Sequence, residues 1–250
     1  MIDIHCHILP EMDDGAENPE ISLSMGISAE KNNIKKIVAT PHYFCTAEEN
    51  FFIEKRDRRI DFLKKLFEEK GVGVELLPGA EVYLNENIFF DNTLEKLTLN
   101  NTKYLLTELD FTGVSVKKIL RYFDEVVSRG LTPVLAHPER YRYFQRDYGL
   151  VNYLADMGTL FQINATSLAG LDGEESLRLS YEMVKNNMAA FLACDAHGVE
   201  ERHNNMMIYF RQFPEGIDGE TLNRIVNINP EKLLDNKDIA PQFRHIKKHA

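Results

Sequence analysis

Cysteine is scarce in this chain, with three in 250 residues and no regular spacing. That excludes a disulfide-stapled scaffold and predicts a reduced, cytoplasmic protein. Positive charge is short as well: Lys and Arg number 29 against 39 Asp and Glu, a formal net charge of −10. A nucleic-acid groove needs clustered cations, and so does a segment held on an anionic membrane, so neither partner is expected. No apolar stretch approaches the ~20 residues that cross a bilayer, which predicts no membrane insertion. The first residues lack a basic segment followed by an apolar one, so no signal peptide is expected. Neither GxGxxG nor a P-loop follows the first strand-like run. No Pro/Gly/Ser-rich linker or low-complexity tract divides the chain, and residues 1–250 are read as a single domain.

What is present is a recurring unit of a short apolar run, a polar punctuation and a helix-like stretch. The apolar runs are "IDIH", "KKIVATPH", "VELLPGAEVY", "KYLLTEL", "TPVLAHPER", "TLFQINATS" and "AFLACDAH". Their length and their Val, Ile, Leu and Phe content suit buried parallel strands. Asn18 is a candidate N-cap with Pro19 at the first helical position. "EISLSMGISA" is ambiguous because its apolar residues partly alternate. From Glu48 to Lys70 the pattern is clearer: Phe52, Ile53, Ile60, Leu63, Leu66 and Phe67 form a stripe, and Gly71 follows as a C-cap. "SVKKILRYFDEVVSRG", "YGLVNYLADMG", "EESLRLSYEMVKNN" and "GETLNRIVNI" read as further helices. Strands separated mostly by helices give an α/β fold with a parallel sheet. A closed or distorted barrel fits best, with a doubly wound open sheet as the alternative.

The placement of metal-ligand residue types carries the functional argument. His5 and His7 end the first run, His42 the second, Glu81 the third, Glu108 the fourth, His137 the fifth, and Asp195 and His197 the seventh. In a parallel barrel these strand ends share one face, where active sites are built. A lone histidine at a strand end is usually a cap or a core residue. Five of the eight histidines at such ends, with three carboxylates beside them, are hard to explain that way. Three buried carboxylates without cations would repel one another, and bound divalent metals remove the difficulty. "IDIHCHILP" has the residue types of a mixed thiolate–imidazole cluster, but strand alternation puts His5 and His7 on one face and turns Cys6 to the other.

"DIHCH", "ATPH", "GAE", "AHPER" and "DAH" together resemble the motif set of the PHP (polymerase and histidinol phosphatase) superfamily. "LPEMDDG", "TELDF", "QINATSLAG" and "CDAHGVEER" narrow the resemblance to the capsule-associated protein-tyrosine phosphatases of Gram-positive bacteria, from Met1 to about Asp235. It implies a distorted (β/α)7 barrel with a trinuclear metal centre at the C-terminal ends of its strands. By position, His5, His7, Glu81 and Asp195 would hold the first metal. Glu81 would bridge to a second that also takes Glu108 and His137. Asp14, His42 and His197 would hold the third, with Asp13 the weaker candidate of the acidic pair. Arg140 and Arg202 match arginines that engage phosphate. The implied partner is a phosphotyrosine protein, the tail of a bacterial tyrosine kinase in capsule or exopolysaccharide assembly. Glu11, "LDGEESL" and His203 depart from the family pattern in loops and leave every implied ligand in place.

Imidazole and carboxylate ligands without sulfur suit Mn, Fe or Zn in a catalytic cluster, with three Mn ions the first expectation. Such a cluster lowers the pKa of a bridging water, offsets phosphoryl charge and orients the attack. The alternatives are a small-molecule phosphomonoesterase such as a histidinol-phosphate phosphatase, a catalytically silent metal-binding module, and, least favoured by the acidic balance, a PHP exonuclease. Cys194 and Arg202 do not form a thiol-phosphatase loop, which has five intervening residues where this chain has seven. Cys194 reads as a buried structural thiol. "ERYRYFQRDY" is either a substrate lip or an ordinary helix start, and Asn164 is a candidate for hydrogen bonding to a metal ligand. The basic tail "FRHIKKHA" is expected to fray, and His245 and His249 are not counted as ligands. Cys6→Ser is therefore expected to retain bound metal, while His5→Ala or His7→Ala abolishes phosphate-ester hydrolysis. Metal content and turnover of the three variants check this, and metal loss from a folded Cys6→Ser protein would restore the thiolate reading.

Overall fold

The apolar runs fold as parallel strands, because their β-branched and aromatic residues are covered on both faces. The computed structural model describes residues 1–46, 51–90, 93–200, 203, 206–210, 213–240 and 242–247. Within them the strands are β1 (Ile2–Cys6), β2 (Lys36–Ala39), β3 (His42–Tyr43), β4 (Glu75–Pro78), β5 (Glu81–Tyr83), β6 (Tyr104–Glu108), β7 (Thr132–Ala136), β8 (Leu160–Asn164) and β9 (Ala189–Ala193). Their ladders run β1-β2-β4 and β3-β5-β6-β7-β8-β9, every pair parallel. Thr40 and Pro41 alone separate β2 from β3, and Gly79 and Ala80 separate β4 from β5, so these are two bent strands carried from one ladder into the other. Asp195 N donates to His5 O at 2.9 Å and His7 N to Ala196 O at 2.9 Å, joining the chain beyond β9 back to β1. The result is the distorted barrel of seven β/α units, and the seven strand runs read from the sequence are its staves.

The helices are α1 (Pro19–Lys31), α2 (Phe52–Lys70), α3 (Val116–Ser128), α4 (Arg142–Arg146), α5 (Tyr148–Asp156), α6 (Ala165–Leu168), α7 (Glu174–Lys185), α8 (Met206–Phe210), α9 (Gly219–Asn223) and α10 (Asn229–Leu234). Asn18 Oδ1 accepts the Ile21 amide at 3.0 Å, so the ambiguous "EISLSMGISA" run is helical and capped as its Asn-Pro start predicts. Gly71 ends α2 in the left-handed region at φ 70°. Residues 48–50, included in the expected second helix, lie outside the described residues. Two apolar layers result. An inner one fills the barrel with Ile2, Ile4, Val38, Leu106, Val134, Leu160 and Phe191. An outer one, including Cys6, Met25, Leu63, Phe67, Phe123 and Leu154, lies under the helices.

The tail does not fray over 242–247 as composition alone predicts. Ile246 is buried, its amide is bound by Asn152 Oδ1 at 2.9 Å, and His245 Nε2 meets Asp156 Oδ1 at 2.9 Å. His249 lies outside the described residues. The α1–α2 contact is tight. A Cβ on Gly26 would fall 2.2 Å from Phe67 Cζ, a ring buried to 2% exposure. Gly26→Ala gains helix propensity but overpacks this seam, so a net loss of about 1–2 kcal/mol is expected as a lowered Tm. An unchanged or raised Tm would contradict that packing.

Candidate metal centre

Every strand run except β8 delivers a ligand-type residue to the same end of the barrel. On β6 the inward positions run Tyr104, Leu106, Glu108, two apolar side chains and then a carboxylate. The bent strands carry Val38 and then His42 inward, and Leu77 and then Glu81. In β1 the alternation is broken. Its register shifts between Asp3 and Cys6. Ile4 packs in the inner core, yet His5, the next residue, faces the site together with His7. Cys6 turns into the outer layer, its thiol pushed well up by burial and bonded only weakly to Ala196 O at 3.9 Å. His137 and Asp195 follow their strands at φ 34° and 51°. A non-glycine residue at positive φ is costly, and both lie where a strand end must turn a polar side chain into the mouth.

Three groups of ligand atoms result, each with its members within 4.8 Å of one another: His5, His7, Glu81 and Asp195; His7, Asp14, His42 and His197; and His42, Glu81 and Glu108. The groups interlock. Glu81 Oε2 is 3.2 Å from His5 Nε2, 3.3 Å from His7 Nε2 and 3.1 Å from His42 Nδ1. Glu81 Oε1 is 2.9 Å from His137 Nε2, which is 3.8 Å from Glu108 Oε1. Asp14 Oδ1 stands 3.4 Å from His197 Nε2 and 3.5 Å from His42 Nε2. All nine ligand-type residues named from the sequence therefore meet in one cluster. His42 offers Nδ1 to one group and Nε2 to another.

The charges fit cations. Burial, then the charges of Glu81 and Asp195, push the Glu108 carboxyl up to about 9. Burial also opposes charge on Glu81, but His5, His137 and His7 outweigh it and hold that carboxyl well below its usual range. His42 and His137 are lowered chiefly by burial, which favours the neutral, ligating imidazole. Glu81 Oε2, His42 Nδ1 and His197 Nε2 are buried without hydrogen-bond partners among the described residues. An all-oxygen and nitrogen donor set of this shape suits divalent cations.

Supporting contacts fix the ligands. Asp13 is not at the cluster itself; its Oδ2 binds His7 Nδ1 at 2.7 Å and accepts the His42 amide at 2.9 Å. Arg140, 30% exposed, donates Nη1 to Asp195 Oδ2 at 3.3 Å and lies 5.3 Å over the Phe111 ring. Phe111 in turn stacks on His137 at 5.5 Å. Arg202 lies outside the described residues. In "ERYRYFQRDY", Tyr141 is buried and its hydroxyl accepts the Leu109 amide at 3.0 Å, while the half-buried Tyr143 donates to Asp110 O at 3.2 Å. Asn164 does reach the cluster, through Asp195. Sequence reasoning missed Gln162 and Phe111. For Gln162 the usable signal was its spacing of two from Asn164 on the same strand.

The chain is 35% identical over 247 residues to the tyrosine-protein phosphatase YwqE of Bacillus subtilis (strain 168), covering 97% of this chain and 94% of that one. It is 28% identical over 246 residues to the tyrosine-protein phosphatase CpsB of Streptococcus agalactiae, covering 94% and 99%. Among solved structures it superposes with TM-score 0.87, 32% identity and full coverage of both chains on one from the study of YwqE and Streptococcus pneumoniae CpsB, described there as unique metal-dependent tyrosine phosphatases. The family model for capsular polysaccharide synthesis, CpsB/CapC, matches residues 1–235, and the chain belongs to that family.

Proposed function

We propose that this chain is a metal-dependent phosphoric monoester hydrolase that removes phosphate from tyrosine in proteins. The observation that carries the reading is the interlocked cluster, in which Glu81 touches ligand atoms of both neighbouring groups and Arg140 stands at its edge. The names of the similar proteins support the substrate class. Three divalent ions are the proposed complement, manganese first. His5, His7, Glu81 and Asp195 would hold one, Glu81, Glu108 and His137 the second, and Asp14, His42 and His197 the third. Bound there, they would activate water and offset charge on the phosphoryl oxygens.

The chain's own residues do the rest. Asp195 and Phe111 hold the Arg140 guanidinium at the mouth, with a third of its surface open for charge-assisted bonds to phosphoryl oxygens. A phenolate leaves readily, since its parent pKa is about 10, so the reaction does not require an elaborate general acid. Arg202, the second arginine of this reading, belongs to the proposal on sequence alone. The proposed physiological substrate is the tyrosine-phosphorylated tail of a kinase that drives capsule or exopolysaccharide assembly, met in the cytoplasm. Three free cysteines suit that compartment, and no helix among the described residues is long and apolar enough to cross a membrane.

A panel assay tests this, with Mn, Zn, Mg or chelator against a phosphotyrosine peptide, histidinol phosphate and single-stranded DNA. Chelation should abolish turnover, manganese should restore it, and the peptide should have the highest kcat/KM. Preference for histidinol phosphate would overturn the substrate, and no hydrolysis with any metal would favour a binding module. Arg140→Ala should lower kcat/KM on the peptide by about 10²–10³-fold, as for loss of one preorganised charge-stabilising donor. Unchanged kinetics would remove Arg140 from the mechanism.

A further inference from the structure

β8 differs from the other strands in what it turns toward the cluster. Its inward residues at that end, Gln162 and Asn164, are both buried and carry amides rather than imidazole or carboxylate. They span the gap between His5 on β1 and Asp195 beyond β9, two residues of one ligand group. His5 Nδ1 lies 2.8 Å from Gln162 Oε1. Gln162 Nε2 donates to Asn164 Oδ1 at 2.8 Å, and Asn164 Nδ2 donates to Asp195 Oδ2 at 2.8 Å. The Asn164 backbone amide is itself fixed on Glu139 Oε1 at 2.9 Å.

This chain of bonds has only one consistent direction. An ionised Asp195 can only accept, so Asn164 must present its NH2 there. Its oxygen then faces Gln162 and must accept, so Gln162 presents its own NH2 to Asn164. The Gln162 oxygen is left facing His5 and can only accept, so Nδ1 of that ring carries the proton. Nε2 then keeps its lone pair, 3.2 Å from His7 Nε2 and 3.2 Å from Glu81 Oε2. At the other end, Asn164 and Arg140 both bind Asp195 Oδ2, which turns Oδ1 toward His5 Nε2 at 3.3 Å and His7 Nε2 at 3.5 Å. We infer that Gln162 and Asn164 are positioning residues: a directional amide relay that sets the His5 tautomer and aims Asp195, so that both point a lone pair at the same cation. Amides do this without adding charge to a mouth that already holds four carboxylates, Asp14 and the buried Glu81, Glu108 and Asp195.

The relay concerns cation binding and goes beyond the phosphatase reading; its test needs no hydrolysis. The ring nitrogens of His5 are observed by 15N NMR in chelator-treated protein, at a pH where the ring is neutral. The wild type should show a protonated Nδ1 and an unprotonated Nε2. Gln162→Met should lose that signature and bind manganese about ten- to a hundredfold more weakly. Asn164→Leu should mix the tautomers although Asn164 does not touch the ring, because the Gln162 amide can then turn over. Gln162→Glu keeps an acceptor toward Nδ1 and should keep the signature; it decides the matter where the apolar variants do not fold. A merely structural strand residue would lower Tm and leave the tautomer alone. Protonation of His5 at Nε2 in the wild type or in Gln162→Glu would overturn the relay. So would an unchanged signature in both Gln162→Met and Asn164→Leu.

Discussion

Burying Glu81, Glu108 and Asp195 within reach of one another sets the problem that the rest of this structure answers. Like charges in a low-dielectric mouth repel strongly, and that repulsion together with burial is what drives the Glu108 carboxyl up to about 9. Five imidazoles surround the carboxylates; burial lowers His42 and His137 toward the neutral form, while the neighbouring carboxylates, outweighing burial, raise His5 and His7, so a bound cation would take the place of a proton there. A barrel is suited to this demand. Seven strands bring side chains from residues 5 to 197 to one rim, while the apolar inner layer beneath keeps water and competing donors out.

Local irregularities follow from the same demand. A regular β1 could not send Ile4 into the core and His5 and His7 into the site, so the register slips between Asp3 and Cys6. Strands β2 and β4 bend at Thr40–Pro41 and Gly79–Ala80 before delivering His42 and Glu81. At Gly79 a Cβ would lie 2.8 Å from Val38 Cγ1, so the inner layer leaves no room for a side chain at that bend. His137 and Asp195 take positive φ at the ends of their strands. Of the nine non-glycine residues at positive φ among the described residues, five are asparagines, which tolerate it, and two of the other four are the cluster residues His137 and Asp195.

Much of this was legible in the sequence. The strands announce themselves as short apolar runs, since burial on both faces selects Val, Ile, Leu and Phe. Asn18, Pro19 and Gly71 mark helix ends by chemistry that acts locally. Eight of the nine clustered side chains were legible as hard donors at the ends of apolar runs, which have few other uses there; Asp14, away from any such run, came only from the family resemblance. The β1 irregularity was not legible, because simple alternation already separates Cys6 from the two histidines and nothing nearby signals a slip. Gln162 carried only the faint signal of its spacing of two from Asn164. An amide in a strand can be a buried partner or an exposed residue, and only the position of His5, 157 residues away, tells which. The tyrosines after Arg140 were open to two readings for a similar reason: only the fold shows that their hydroxyls meet the backbone at Leu109 and Asp110.

On the proposed reading, nine residues of the rim would form one cation cluster without sulfur. Anomalous diffraction from crystals grown with manganese tests it most directly. Three peaks are expected at the barrel mouth, ligated by His5, His7 and Asp195, by Glu108 and His137, and by Asp14, His42 and His197, with Glu81 shared between the first two. The absence of peaks at the mouth, or a peak bound through Cys6, would contradict it.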